Sequence, residues 1–158
     1  TPEERETHPA RFALVELNNI HDEGMDFEPI HRILFNIDKQ DLLSYIQGEG
    51  EKVDLVEGNA TESLRLKDRP SQLAVGILQI LLDEYLDQHP EVRIDYIHGE
   101  STLRRLTEEP GTVGFLLEGM NKSDLFKTIS LDGALPRKTF SMGEAEEKRY
   151  YMECRKIK

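Results

Sequence analysis

The sequence predicts an α+β fold in which helices pack on a mixed, largely antiparallel sheet. Short segments with alternating apolar or β-branched residues recur along the chain, as expected for strands. Residues 71–88 carry an apolar stripe at helical spacing that is broad enough to cover a sheet. No internal repeat or low-complexity linker interrupts the order. We therefore expect a polar lead-in over residues 1–8 and a single domain over residues 9–158.

The first half of the chain predicts a hairpin-like start followed by smaller elements. The expected elements are strands over residues 11–20 and 27–37 that pair antiparallel, a helix over 38–47 capped by Asp38, and a peripheral, solvent-facing hairpin of 51–57 and 61–66. The strand over 11–20 is expected to lie centrally in the sheet.

The second half alternates helices and strands. The expected elements are the helix over 71–88 capped by Ser71, a strand over 92–97, a helix over 101–108, a strand over 112–117, a helix over 122–131 capped by Ser123 or Asp124, a loop over 133–145 and a final strand over 149–157.

Composition limits the classes of function. The 158 residues match one domain of ordinary size. With 31 acidic and 20 basic residues the net charge is −11, which disfavours a nucleic-acid-binding surface and requires any anion site to be local. No apolar run approaches the roughly 18 residues of a membrane span.

Cysteine and histidine usage indicates a reducing compartment. The single cysteine, Cys154, excludes an intramolecular disulfide, and no pair of histidines has the spacing of a metal site. We therefore predict a cytoplasmic protein with no metal centre, and the sequence names no cofactor. The absence of an initiator methionine favours a piece of a longer protein.

The first candidate for chemistry is the pair His31 and Arg32, which follows Pro29. Adjacent residues in an extended chain point to opposite faces, so one of the two side chains is expected to face a cleft. Arg32 would grip an anion and His31 would handle a proton. The alternative is structural, with His31 pairing at a strand start and Arg32 on the surface.

The second candidate is His98 with Glu100, where a predicted strand ends and a helix begins. Such ends commonly carry ligand sites in α/β folds. The two-residue spacing favours a carboxylate that orients an imidazole for acid or base work. A capped helix start with surface charges explains the same residues.

The third candidate is the loop over residues 133–145. It offers guanidinium, ammonium and hydroxyl donors, which suit phosphate or carboxylate, from Arg137, Lys138, Thr139 and Ser141. The loop lacks the Gly-x-x-x-x-Gly-Lys pattern of a nucleotide-binding P-loop. Ordinary surface decoration is the alternative.

Residues 27–32, 95–100, 114–117 and 135–145 together resemble domain-of-unknown-function family 1015, also called the SerB-cotranscribed group. The resemblance extends from His8 to Ile157, and it implies the C-terminal portion of a protein two to three times longer. Family members commonly have threonine where this chain has Ile30, a departure that removes one hydroxyl donor. The group's name implies a phosphorylated or amino-acid-like anion as ligand.

These observations predict a domain that binds a small anionic metabolite and forms part of an active-site cleft. The ligand-binding residues would be Arg32, Arg137, Lys138, Thr139 and Ser141, and the catalytic residues would be His31, His98 and Glu100. A non-catalytic ligand-sensing or partner-binding module is the alternative, and the sequence leaves open whether the domain is an enzyme. The expected partners are the small anion and the missing N-terminal portion of the same protein, with no nucleic acid and no membrane.

Overall fold

A computed structural model describes residues 2–8 and 19–143 and shows the predicted α+β fold. The helices of this part are α1 Pro2–Thr7, α2 Lys39–Ile46, α3 Ala74–Leu86, α4 Glu100–Leu106 and α5 Leu125–Asp132. The strands are β1 Phe27–Phe35, β2 Gln47–Glu57, β3 Ala60–Leu66, β4 Arg93–His98, β5 Thr112–Leu116 and β6 Phe140–Met142. The sheet has the order β3-β2-β5-β1-β4, and β6 also pairs with β1.

Every pairing between the described strands is antiparallel. Strand β1 lies between β5 and β4. Its adjacent residues Ile33 and Leu34 point to opposite faces of the sheet, and both are fully buried. A strand covered on both faces reads as a continuous apolar run, which is why residues 27–37 look strand-like in the sequence.

One face of the sheet carries the main hydrophobic core under α2 and α3. The helix α3 contributes a row of buried apolar side chains that meets apolar residues of β1, β2 and β5. Its buried members include Leu78, Leu81 and Leu82, each with no exposed surface. Burial of side chains of this size stabilises the fold by about 1.5–3 kcal/mol each.

The other face of the sheet is covered by α4. A β-carbon placed on Gly114 of β5 would lie 2.9 Å from the side chain of Leu103 in α4. Glycine is therefore required for this helix to approach the strand so closely. The contact places the start of α4, at Glu100, next to the end of β4.

Two strands pair with successive parts of β1. Strand β4 pairs with residues 30–35 of β1, and β6 pairs with residues 27–29. Strand β6 therefore begins beside β1 at the level where β4 stops. This register brings the loop before β6 to the end of β4.

Several predictions of local structure are confirmed. Strands form within the predicted ranges 27–37, 92–97 and 112–117, with shifts of one or two residues at their ends. Asp38 caps α2, because its carboxylate accepts hydrogen bonds from the amides of Gln40 and Asp41 at 2.9 and 3.2 Å.

The predicted hairpin of residues 51–57 and 61–66 forms as β2 and β3. Its predicted peripheral position is wrong, since β2 lies inside the sheet between β3 and β5. Its residues Val53, Leu55 and Val56 are buried, because pairing with β5 turns an alternating strand into part of the core.

The predicted cap of α3 is also wrong. The N-cap is Leu73, which has no side-chain cap, while the hydroxyl of Ser71 donates to Asp132 at 3.1 Å. Ser71 instead joins the start of α3 to the end of α5.

Two further boundaries differ from the prediction. Residues Lys122–Asp124 form a 3-10 turn before α5, and Asn121, not Ser123 or Asp124, provides its cap. Residues Phe140–Met142 of the predicted loop form β6, because their main chain pairs with β1.

The predicted strand over 149–157 and most of that over 11–20 lie outside the described residues. Within the described ranges, no helix is long and apolar enough to cross a membrane.

Candidate functional site

The guanidinium of Arg32 is the centre of the polar structure around the 133–143 loop. Arg32 has no exposed surface. Its Nη1 donates to the carbonyl oxygens of Ile30 and Lys138 at 2.5 and 2.7 Å, and its Nη2 donates to the carbonyl oxygen of Arg137 at 2.9 Å. A strand residue thus holds the loop by its main chain. Burial lowers the pKa of Arg32 to about 10, which leaves the side chain charged at neutral pH.

The same guanidinium starts a closed ring of hydrogen bonds, which we call the Arg32 network (Arg32, Gln79, Asp83 and Arg137). Arg32 Nε donates to Gln79 Oε1 at 3.2 Å, and Gln79 Nε2 donates to Asp83 Oδ1 at 2.8 Å. Arg137 Nη2 donates to the same Asp83 oxygen at 2.5 Å. The hydrogen bond from Arg32 Nη2 to the carbonyl oxygen of Arg137 closes the ring, which links β1, α3 and the loop.

Tyr96 contacts both arginines of the network. The guanidinium carbons of Arg32 and Arg137 lie 5.1 and 5.9 Å from the centre of its ring. Such contacts attract a cation to the ring face and fix its plane. The Tyr96 hydroxyl is shielded from solvent and has no hydrogen-bond partner among the residues that the structure describes.

The backbone of the loop is held in an uncommon conformation. Gly133 ends α5 with φ of 80°, a value that glycine adopts without steric cost. Lys138 has φ of 54°, which costs a lysine about 1–2 kcal/mol. The hydrogen bond from Arg32 to the Lys138 carbonyl offsets that cost. As a result the side chains of Arg137 and Lys138 are exposed at a fixed place on the surface.

The predicted hydroxyl donors of the loop face inward. Thr139 and Ser141 are 8% and 7% exposed. The Thr139 hydroxyl donates to the carbonyl of Pro136 at 2.6 Å, and Ser141 pairs with Glu28 of β1. Their predicted role as ligand donors stays a prediction, but the structure uses both residues to shape the loop.

A cavity of about 410 Å³ lies beside the Arg32 network. This volume is within the usual range for small-molecule sites. The polar residues that line it are Ser71, Gln79, Asp83, Asp132 and Arg137. Arg137 is the only cation among the lining residues of this cavity.

A second cavity of about 500 Å³ has a more acidic lining. Its charged lining comprises Glu51, Lys52, Asp54, Glu118 and Asp124, which is four carboxylates against one ammonium. Such a lining repels small anions. The lining of the 410 Å³ cavity is less acidic, with the carboxylates of Asp83 and Asp132 against the guanidinium of Arg137.

The predicted catalytic residues form a separate group. His31 is 5% exposed, and its Nδ1 accepts a hydrogen bond from the amide of Leu117 at 3.2 Å, which places the ring proton on Nε2. Burial lowers the pKa of His31, the charge of Glu100 opposes this shift, and His98 and Arg32 add to it. These interactions show that His31, His98 and Glu100 lie near one another. Glu100 also binds Arg104 at 2.8 Å.

The structure therefore divides the predicted site into two parts. Arg32 in β1 holds the main chain of Arg137 and Lys138, whereas His31, His98 and Glu100 lie in β1, at the end of β4 and at the start of α4. Of the eight predicted site residues, only Arg137 lines the 410 Å³ cavity. The predicted ligand-binding and catalytic roles of both groups stay predictions. No group of three or more metal-ligating side chains is found among the described residues.

Sequence reasoning missed Gln79, Asp83 and Tyr96. The available signal was in the helix over 71–88, where Gln79 and Asp83 are polar residues spaced four apart in an apolar stretch. Gln79 is 5% exposed, and a buried polar side chain in such a stretch requires a partner. Tyr96 had no comparable signal.

These features define a class: an α+β domain whose antiparallel sheet carries a surface loop anchored by a buried arginine. The chain belongs to the family described as "Protein of unknown function (DUF1015)", which matches residues 1–156. This confirms the resemblance seen in the sequence. None of the curated proteins matches the chain.

A solved structure shares the fold. It is a conserved hypothetical protein from Pyrococcus furiosus, with 15% sequence identity and a TM-score of 0.61. The similarity covers 82% of this chain and 61% of that protein, so the chain spans less than two thirds of its length.

Replacing Arg32 tests whether the buried guanidinium supports the loop. Arg32→Met leaves the Gln79 amide oxygen and three carbonyl groups without their donor, and we expect a loss of about 3–5 kcal/mol in the free energy of unfolding. Arg32→Lys should restore only part of it, because an ammonium lacks the planar fork. Urea denaturation followed by circular dichroism measures both. The exposed Arg105→Ala is the control and should change stability by less than about 0.5 kcal/mol. A loss below about 1 kcal/mol in Arg32→Met would contradict the assignment.

The lowered pKa of His31 predicts a pH-dependent contribution to stability. In the unfolded chain the His31 imidazole has its ordinary pKa of about 6.5. In the folded chain burial disfavours the protonated imidazole, so its pKa is lower. The free energy of unfolding should therefore fall as pH drops below about 6.5. Urea denaturation between pH 5 and 8 should show a smaller fall in His31→Asn, whose oxygen can accept the Leu117 amide. Equal slopes in both proteins would show that His31 titrates normally.

Proposed function

We propose that this domain binds a small anionic metabolite, one that bears phosphate or carboxylate, at the cavity beside Arg137, and that this cavity forms part of an active-site cleft. The observation that carries the proposal is the use of Arg32. A fully buried guanidinium donates to the two loop carbonyls and thereby presents the adjacent cations Arg137 and Lys138 at the surface.

The electrostatics of the loop support an anion at this place. Arg137 lines a cavity of suitable size, and the exposed Lys138 follows it in the chain. The two cations are adjacent on an acidic protein, and the carboxylates of Asp83 and Asp132 at the cavity offset part of their charge. The uncommon φ of Lys138 supports the same proposal, since such conformations cluster at functional sites.

Acid–base catalysis requires a proton carrier, and the lining of the cavity contains no histidine. The candidate carriers of this chain are His31, whose Nδ1 accepts a main-chain hydrogen bond, and His98 with Glu100. Those residues would serve a cleft only if the ligand extends from Arg137 toward the end of β4. We place this function in the cytoplasm, in keeping with the single cysteine.

The second candidate is a partner-binding module. The observation that favours it is a group of exposed apolar side chains on α5 and β6, namely Phe126, Ile129, Leu131 and Met142, with exposures of 62%, 40%, 63% and 47%. Its partner would be the expected N-terminal portion of the longer protein. Cross-linking within that longer protein would support this candidate by linking α5 to the N-terminal portion, and links that avoid α5 would count against it.

Anion titration tests the leading proposal. We expect inorganic phosphate, added at constant ionic strength, to raise the melting temperature of the wild-type chain, because a ligand that binds only the folded state stabilises it. Arg137→Ala should abolish the shift. Lys138→Ala should reduce it by about half, because Lys138 adds long-range attraction without lining the cavity.

Arg105→Ala is the matched control, since it removes an exposed cation of α4 and should leave the phosphate shift unchanged. An equal shift in Arg105→Ala and Arg137→Ala would mean that phosphate acts on overall charge. No shift with phosphate or acetate in the wild-type chain would refute the proposal.

A further inference from the structure

We propose that Asp83 is a built-in competitor for the anion site, and that the site consequently selects phosphate dianions over monocarboxylates. This inference rests on the proposed function and narrows its ligand class. It depends on the juxtaposition of Asp83, Gln79 and Arg137 in the wall of the 410 Å³ cavity.

One oxygen of Asp83 occupies the position that a ligand oxygen would take. Asp83 Oδ1 accepts from Arg137 Nη2 at 2.5 Å and from Gln79 Nε2 at 2.8 Å. Two convergent donors, one of them charged, are the arrangement that recognises an anionic oxygen. The side chain of Arg137 has no other hydrogen bond to the described residues. A ligand oxygen that takes this two-donor position, between Arg137 Nη2 and Gln79 Nε2, must therefore displace Asp83 Oδ1.

The exchange is structurally feasible because the pair lies at the surface. The side chains of Arg137 and Asp83 are 58% and 48% exposed, so either can swing into solvent. Gln79 is 5% exposed and is held by Arg32, so its amide stays in place after Asp83 leaves. The rest of the Arg32 network does not depend on the side chain of Asp83, since Arg32 binds the loop through carbonyl oxygens.

Competition by a tethered carboxylate decides which ligands can bind. Asp83 is held next to Arg137 at a local concentration in the millimolar range or above, as for any group on a short tether. A free monocarboxylate offers the same chemistry and the same single charge, so it gains little by replacing Asp83. A phosphate dianion offers about twice the charge and three acceptor oxygens. It can outcompete the tethered group.

The wall of the cavity contains a second carboxylate. Asp132 also lines the cavity, and its Oδ2 is fixed by the amide of Gln72 at 2.6 Å and the hydroxyl of Ser71 at 3.1 Å. Asp132 thus stays in place and adds a fixed repulsion. This repulsion acts on every anion in proportion to its charge, so the selection of phosphate depends on Asp83 and not on Asp132.

Asp83→Asn tests the inference directly. The amide oxygen of asparagine can still accept from Gln79 and Arg137, so the fold is preserved while the competing charge is lost. Isothermal titration calorimetry is carried out with inorganic phosphate and with acetate at constant ionic strength. It should show that the wild-type chain binds phosphate and does not bind acetate. Asp83→Asn should bind phosphate at least about fivefold more tightly, the factor that corresponds to an exposed ion pair. It should also bind acetate measurably.

Asp87→Asn, one turn further along and exposed, controls for the loss of one negative charge and should titrate like the wild type. Asp83→Ala is the second variant and should match Asp83→Asn. If phosphate binding depends on Arg137 but Asp83→Asn binds no more tightly than Asp87→Asn, the inference is wrong and the proposed function stands. If neither the wild-type chain nor Asp83→Asn binds either anion, both are refuted.

Discussion

A guanidinium that is removed from water must satisfy its N–H donors within the protein, because an unpaired buried donor costs about 1–3 kcal/mol. Arg32 meets this requirement with three carbonyl oxygens and the side chain of Gln79. Two of the carbonyls belong to Arg137 and Lys138, which are more than 100 residues away in the sequence. The loop therefore has its conformation because a buried charge in the central strand needs its main chain.

This constraint explains which groups of the loop face the protein interior and which face solvent. The inward-facing groups are the main chain of Arg137 and Lys138 and the hydroxyl of Thr139, all of which are engaged in hydrogen bonds. The outward-facing groups are the two cationic side chains. Arg137 is held in turn by Asp83 and by the ring of Tyr96.

Periodicity was sufficient to predict the strand over 27–37 and the helix over 38–47, because both are determined by local apolar spacing and by the cap at Asp38. The burial of the hairpin and the direction of Arg32 were not predictable, since both depend on which strands become neighbours. A sequence shows that Arg32 and Arg137 are cations. Only the fold shows that one anchors the loop and the other is presented by it.

Amide hydrogen exchange of the loop is the most direct test of the claim that Arg32 holds residues 137–143 in place. The measurement is made on Arg32→Met without denaturant, at a pH where the protein remains folded. The account predicts that the amides of Ser141 and Gly143 exchange much faster than in the wild type, while those of α2 keep their protection. Unchanged exchange in the loop would contradict the account, because it would show that β6 pairing alone fixes the loop.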